Sequence, residues 1–342
     1  MSSPAARVYM QYAEDGCRWH RLLQPARHLG RDFPDVEFFC SLNHEPPDQG
    51  FDVYTMHGLL HWETYKRVAA WKAKEKAFVW SVDDDFLTVP DSNPAKPLPE
   101  FTNSYYLSRM AADLIVCSTP PLAATFPNQR TVTAPNLLDL DYYALTGKPA
   151  PDPQPGHPLR VLWAGSLTHS RDVMVAEPAV RHLLTAHPGK VEVIFLGQGP
   201  PAGLIRDFLH AGLRHLPGVQ FAHYWPTLAA VRPHVVLAPL DRDEFNRSKS
   251  NLRILEGWAL SAAVVATDWS EYGVIRHGGD GLLAADSDQF TAHLEAVCTD
   301  PDLRRRLAEA GRKRVEEEWS WQSRKARAPW RQVVDRMLEG VR

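Results

Sequence analysis

The chain has 342 residues, 44% of them apolar and 23% charged, enough to bury a large core in one large or two medium domains. A formal net charge of −3 argues against a generally basic nucleic-acid, heparin or membrane-surface protein, yet residues 1–157 hold 14 Lys+Arg against 19 Asp+Glu while 158–342 hold 24 against 22, so an anionic ligand is expected on the second half. Cys17, Cys40, Cys117 and Cys298 stand apart without a CxxC pair, which disfavours a zinc module or dense disulfide framework; with no signal core at the start and no apolar run near the roughly 18 residues that span a bilayer, a cytoplasmic protein is expected.

In chain order, short apolar runs alternate with longer amphipathic ones. A strand is predicted over 7–12, a helix over 19–29, strands at 36–40 and 51–54, a helix over 63–76 and a strand over 77–82, and the pattern continues through 110–116 and 131–134. Such alternation predicts a parallel sheet covered by helices. Residues 148–158 then hold five prolines and a glycine, too stiff and too poor in N–H donors for a helix or a central strand, and are read as an interdomain linker. Beyond it, strands at 159–164, 191–196, 219–222, 235–238, 263–267 and 282–285, with helices over 173–187 and 202–213, describe a second doubly wound unit. Residues 301–338, rich in Arg, Lys, Glu and Leu and interrupted by Trp319-Ser-Trp321, predict two more helices. The domains are thus 1–147 and 159–321, followed by a terminal helix over 322–342. Ligands of paired folds of this kind bind between the carboxyl ends of the two sheets.

Four segments carry candidate chemistry. The strand at 159–164 runs into Gly165-Ser-Leu-Thr-His-Ser-Arg-Asp172 and a helix, which aims backbone N–H groups at the cleft; Gly165 permits close approach, and Ser166, Thr168, His169 and Arg171 can donate to phosphate oxygens. The alternative is an ordinary loop with Ser170 or Asp172 as N-cap. Gly197, Gly199 and Gly203 form GxGxxxG, one residue out of step with the dinucleotide fingerprint, and no acidic residue follows at ribose spacing, which disfavours a dehydrogenase. After Pro239, a polar loop leads to a helix starting near Ser248 to Ser250, with Leu252, Leu255 and Leu260 on one face. Arg247 and Lys249 stand at its positive end, and Glu256 lies two turns on, a spacing that suits a diphosphate at the helix start and sugar hydroxyls further along. Asp83-Asp84-Asp85 follows the strand at 77–82 and is open to cation binding, acceptor positioning, base chemistry or N-capping. His57 and His61 follow the strand at 51–54 at i, i+4 spacing, but HGLLH lacks the glutamate of HExxH; His57 is a candidate cleft residue and His61 a structural one.

Phe245, Asn246, Lys249, Ser250, Leu252, Glu256, Ala259, Val264, Val265 and Ala266 resemble the donor-binding segment of retaining GT-B glycosyltransferases of the glycosyltransferase family 4 type, in the subgroup with a pattern like PFNxxKSxLKxLEYxAxGxPVVAS. Tyr272, Ile275 and the run from Gly278 to Leu283 continue the likeness, which covers most of 159–321. Weaker likenesses run through Asp15-Gly16 to Arg21, Val79 to Asp85, Asp113 to Thr119 and Asn136 to Asp139. The resemblance implies the GT-B fold, two Rossmann-like doubly wound domains facing across a cleft with the C-terminal helix crossing back at Trp319 and Trp321 to the first.

It also implies transfer of a hexose from a UDP- or GDP-sugar to an acceptor hydroxyl with retention, and no required cofactor, a divalent metal being possible but not favoured. Lys249 and Arg171 would meet the diphosphate, with Asp83 and His57 completing the catalytic set. Gly16, Gly165, Ser166, His169, Asn246, Ser250, Asn251 and Glu256 would hold the donor, Glu256 through its ribose. Where the broader family has the first of two glutamates, this chain has Ser248, so Asn246, Lys249 or backbone groups are expected to take over its contacts. The acceptor stays open among glycan, lipid-linked sugar, protein and, as in some virus-type enzymes, a hydroxymethylated DNA base. A catalytically inactive sugar-nucleotide-binding module is the non-enzyme alternative.

Overall fold

A computed structural model describes residues 4–11, 15–42, 50–93, 96, 99–142, 149–154 and 156–339. Two six-stranded sheets, every pairing within them parallel, account for the alternation in the sequence. The first contains β1 (Ala6–Gln11), β2 (Val36–Ser41), β3 (Val53–His57), β4 (Ala77–Val82), β5 (Leu114–Cys117) and β6 (Thr131–Thr133), in the order β2-β1-β3-β4-β5-β6. The second contains β7 (Leu159–Gly165), β8 (Val191–Gly197), β9 (Leu213–Pro217), β10 (Val235–Ala238), β11 (Ala263–Thr267) and β12 (Leu282–Ala284), in the order β12-β11-β10-β7-β8-β9. All residues of β3, β4, β5, β10 and β11 are buried, as expected of parallel strands covered on both faces. In the second sheet the strand order reverses between β7 and β10, and the crevice opens at the carboxyl ends of those two strands.

The helices are α1 (Gly16–Arg18), joined by a π turn over Trp19–Leu23 to α2 (Gln24–Asp32), then α3 (Trp62–Lys72), α4 (Pro99–Ala111), α5 (Pro120–Ala124), α6 (Ser170–Ala186), α7 (Ala202–Phe208), α8 (Phe221–Val231), α9 (Glu244–Arg247), α10 (Leu252–Ala259), α11 (Ser287–Thr299), α12 (Pro301–Glu318) and α13 (Ala328–Glu339). The chain crosses back after α12. Leu138 and Ser320 form a bridge, Trp321 donates its indole N–H to Gln24 Oε1 at 2.9 Å, and Trp330 donates to Pro135 O at 2.8 Å. Trp321, Trp330, Val333, Val334 and Met337 then complete the core of the first sheet. Each indole pairs its one polar atom while burying its ring, which makes Trp the residue suited to fasten a returning helix.

Four expectations are corrected. The helix expected over 202–213 stops at Phe208, because His210 and Gly212 take positive φ values (68° and 97°) and turn the chain, so that Leu213 opens β9 against β8. The strand expected at 219–222 is instead the start of α8: β9 ends at Pro217, and Trp225, Leu228 and Val231 bury at helical spacing. The strand expected at 51–54 lies at Val53–His57, which makes His57 the last strand residue and His61 the N-cap of α3, so the two histidines do not share a helix. The helix expected to start near Ser248 starts at Leu252, because the one-turn α9, capped by Asp243, is followed by a turn that carries Ser248, Lys249 and Ser250.

Candidate functional site

The carboxyl ends of both sheets face one cavity of about 540 Å³. Its second-domain wall begins at β7 and β8, where Gly165 pairs with Gly197 in register. Gly197 has φ +96°, and a Cβ there would stand 2.3 Å from Gly165 O, so only glycine lets these two strand ends close and lets Gln198 N donate to that carbonyl at 2.7 Å. The loop from Gly165 then makes a 3₁₀ turn and enters α6. Ser166 and Thr168 hydroxyls bond each other at 2.7 Å at the cavity mouth. Neither Ser170 nor Asp172 is the N-cap: His169 holds that position, and its Nδ1 lies 2.7 Å from Asp172 Oδ2. Burial of this ring lowers its pKa, against the pull of Asp172.

Asp172, 3% exposed, is the hub of this wall. Its Oδ1 accepts from Asp241 N and from the Asn246 amide, both at 2.8 Å, and this fastens the start of α6 to the loop after β10. Asn246 is thereby turned inward and does not line the cavity; neither does Asn251, which is buried at the N-cap of α10. Lys249, Ser250, Arg253 and Glu256 do line it. The Arg253 guanidinium, in the first turn of α10, bridges Glu256 Oε2 on the next turn at 2.5 Å and Tyr224 Oη on α8 at 2.7 Å. Burial opposes the charge on Arg253, and Glu256 with Tyr224 overrides it, raising its pKa. Arg171 lies at the rim, half exposed, on Asp241 and on Ser92 Oγ at 3.2 Å.

The first-domain wall is assembled from strand ends. Asp15 caps α1 through the Arg18 N–H at 2.8 Å, which brings Gly16 and Cys17 to the cavity. Asp83, just past β4, meets His57 Nε2 at 3.3 Å; His57 is 6% exposed and sits behind it, outside the cavity lining. Arg21 is entirely enclosed and donates to Ala134 O, Val116 O, Asn136 Oδ1 and Ser81 Oγ. Burial lowers its pKa to about 10; against the desolvation of Asp83, His57 first, and then the charges of Arg21 and Lys249, hold that carboxyl far below its usual range. The Cys17 thiol is correspondingly pushed up, first by Asp83 and also by Asp84 and Asp15. Sulfur, imidazole and carboxylate ligand atoms of Cys17, His57 and Asp83 lie within 4.8 Å of one another, a donor set able to hold a metal ion, although Arg21 and Lys249 already compensate Asp83.

The two walls touch at the floor and across the opening. Thr119 Oγ1 donates to Ser248 O at 2.9 Å, Asn136 Nδ2 to Ser250 Oγ at 3.0 Å, and Lys249 Nζ lies 2.8 Å from Asp84 Oδ1 with only 15% of its side chain exposed. Burial works against the ammonium, and Asp84, followed by Asp83 and Cys17, more than offsets it, so its pKa stands above the usual value. Lys249 therefore faces the interdomain cleft rather than bulk water.

Residues 181–328 match the family model described as glycosyl transferase-like. The matched residues carry β8 to β12 and the helices from α7 to α12. In fold, the whole chain is similar to sucrose-phosphate synthase from Thermosynechococcus elongatus, with 14% identity and a TM-score of 0.66 over 96% of this chain and 97% of that one. It is similar to a glycosyltransferase from Rickettsia africae ESF-5, with 13% identity and a TM-score of 0.65 over 98% and 99%. A third likeness is to Anabaena HepE in complex with UDP-glucose, with 12% identity and a TM-score of 0.62 over 96% and 99%. No curated protein matches the chain in sequence. These structural likenesses establish the GT-B architecture, and the glycosyltransferase assignment rests on the family match over residues 181–328.

The second domain contributes two groups that sequence reasoning did not single out, Arg253 and Tyr224, and gives Asp172, expected at most as an N-cap, the place of a hub. Arg253 was in view, at i−3 from Glu256, the spacing of a helical ion pair; Tyr224 and the inward turn of Asp172 have no local signal. On the opposite wall Arg21, Cys17 and Asn136 were likewise missed as site groups, since each gains its role from a strand end far away in the chain.

Proposed function

We propose that the chain transfers a hexose from a nucleoside diphosphate, UDP for choice, to an acceptor hydroxyl with retention of anomeric configuration. The single observation that carries this reading is the second-domain wall, where Lys249, Arg253 and the start of α6 converge on one cavity while Glu256 stands one turn beyond Arg253. A diphosphate leaving group gathers negative charge as the glycosidic bond breaks, and fixed cations in a partly desolvated cleft stabilise that charge without reorganising. Lys249 meets the diphosphate, Arg171 guards the rim, and Glu256 accepts from ribose hydroxyls. The complex of the Anabaena relative with UDP-glucose supports the choice of donor.

Asp83, held ionised by His57 and Arg21, suits charge stabilisation on the acceptor side better than proton abstraction. The departing phosphate then accepts the acceptor's proton on the same face, and no protein nucleophile is needed. The charge is met by side chains, so no metal ion is invoked. All four cysteines are free, in keeping with a reducing cytoplasm, and no described helix is long and apolar enough to cross a membrane.

Thermal shift with UDP-, GDP- and ADP-sugars should raise the melting temperature with the cognate donor, because a ligand that binds only the native state stabilises it. Replacing Lys249 by Ala should lower turnover about 100-fold or more, as loss of one preorganised charge partner does elsewhere. Full turnover in Lys249→Ala would remove the phosphate assignment, and an inverted product by NMR would remove retention.

A further inference from the structure

One segment of the first domain engages two of the three cations placed around the donor, Lys249 and Arg171. After β4 the chain turns at Asp84, whose carboxylate holds Lys249, and eight residues on Ser92 accepts a hydrogen bond from Arg171 while Asn93 donates to Thr168 O at 3.0 Å. The segment is braced internally: Asp85 Oδ1 accepts from Leu87 N at 3.2 Å, Thr88 Oγ1 donates to Asp85 O at 3.2 Å, and Asn93 N donates to Pro90 O at 2.9 Å. It spans the cleft from the wall that carries Asp83 to the loop that carries Ser166, Thr168 and Arg171. The other cations have partners in their own domain, Arg253 on Glu256 and Arg171 on Asp241. Lys249 alone among these three has its carboxylate partner on the opposite wall.

A carboxylate oxygen and a phosphate oxygen make the same charge-assisted bond to an ammonium group, at the same 2.7–2.9 Å. Both cannot sit on Lys249 at that distance without bringing two anions together in a partly desolvated cleft, where like charges repel more strongly than in water. We propose that Asp84 is a built-in competitor for the donor's diphosphate: it occupies the phosphate position on Lys249 in the free protein, and donor binding exchanges the interdomain ion pair for a phosphate contact. The proposal rests on the donor site proposed above. Its consequence is a donor affinity set partly by the first domain. The exchange also frees the 84–93 segment from one of its anchors on the second domain at the moment the donor is seated.

The test is calorimetric titration of the full chain with UDP and GDP, and with uridine and guanosine as phosphate-free probes. Asp84→Asn keeps the size of the side chain and removes its charge, and should bind the cognate diphosphate about two- to fivefold more tightly, the scale of a partly exposed ion pair, while nucleoside binding stays as in the wild type. Asp84→Glu, which restores the charge, should return towards wild-type affinity. Equal or weaker diphosphate binding by Asp84→Asn, with the wild type binding normally, would overturn the competitor role and leave the donor site standing. An equal change in nucleoside affinity would also overturn it, since a merely structural effect moves both. If neither diphosphate binds the wild type at millimolar concentration, the donor site itself fails, and the competitor with it.

Discussion

The two walls of the cleft carry comparable numbers of charged groups but are built on different scales. On the second-domain wall, Arg253 and Glu256 are three residues apart, as are His169 and Asp172, so each pair is a neighbour on one helix face or turn. On the first-domain wall His57 meets Asp83 from an adjacent strand, and Arg21 reaches groups at Ser81, Val116, Ala134 and Asn136. A wall compensated locally leaves a compact motif in the sequence. A wall compensated across strands is a property of the sheet, and its charges are tied to the stability of the whole domain.

The largest effect expected from this difference is on stability at Arg21. Arg21→Met removes a buried cation from four acceptors and leaves the part-buried Asp83 with less compensation, and should cost about 3–5 kcal/mol in urea unfolding. A loss under about 1 kcal/mol would break the claim that the first wall is bound into its domain.

Next comes a pH effect that should touch both halves. His20, 3% exposed, has its pKa lowered to about 4 by burial, and His234, also held down to about 4 by burial, is fixed in one tautomer by accepting from Arg160 N and lying 2.8 Å from Pro151 O. The unfolded chain takes up these protons near pH 6.5, before the folded chain does, so the stability due to each histidine is complete above that pH and falls as the pH drops from about 6.5 towards 4. Urea unfolding at pH 7.5 and 4.5 should differ by roughly 2–3 kcal/mol per histidine. His20→Gln should remove the first domain's share alone.

The smallest effect sharpens the contrast from the other side. Glu256→Gln leaves Arg253 with Tyr224 and a neutral acceptor on the same turn of helix, so the fold should lose about 1 kcal/mol or so while KM for the donor rises roughly tenfold. A drop in kcat with unchanged KM would instead place Glu256 at the reacting centre.

Much of the second domain was legible in the sequence. Gly165 ends a strand, Lys249 stands in the turn before an amphipathic helix whose apolar face is written in Leu252, Leu255 and Leu260, Glu256 lies on that helix, and Gly165, Lys249 and Glu256 all line the cavity. Legibility failed where a turn depended on backbone sign. Nothing in the string announces that the non-glycine His210 adopts positive φ, so the helix was carried on to Leu213, where β9 begins, and the start of α8 was read as a strand. It failed as well where a polar side chain had two destinations: Asn246 has the composition of a ligand contact, and the buried carboxylate of Asp172 draws it inward.

The sequence by itself determined two parallel α/β units, the glycine-bearing strand end that opens the anion loop, and the cations placed just before the helix carrying Glu256, because strand and helix periods and local charge spacing are properties of neighbours in the chain. Only the tertiary structure decided that Lys249 is paired with Asp84, that Arg21 underpins Asp83, and that His57 stands behind the cavity rather than in it. Those contacts join residues tens to more than a hundred positions apart. Their energies depend on which strand ends are brought together and on how far water is excluded between them, and neither is a function of sequence separation.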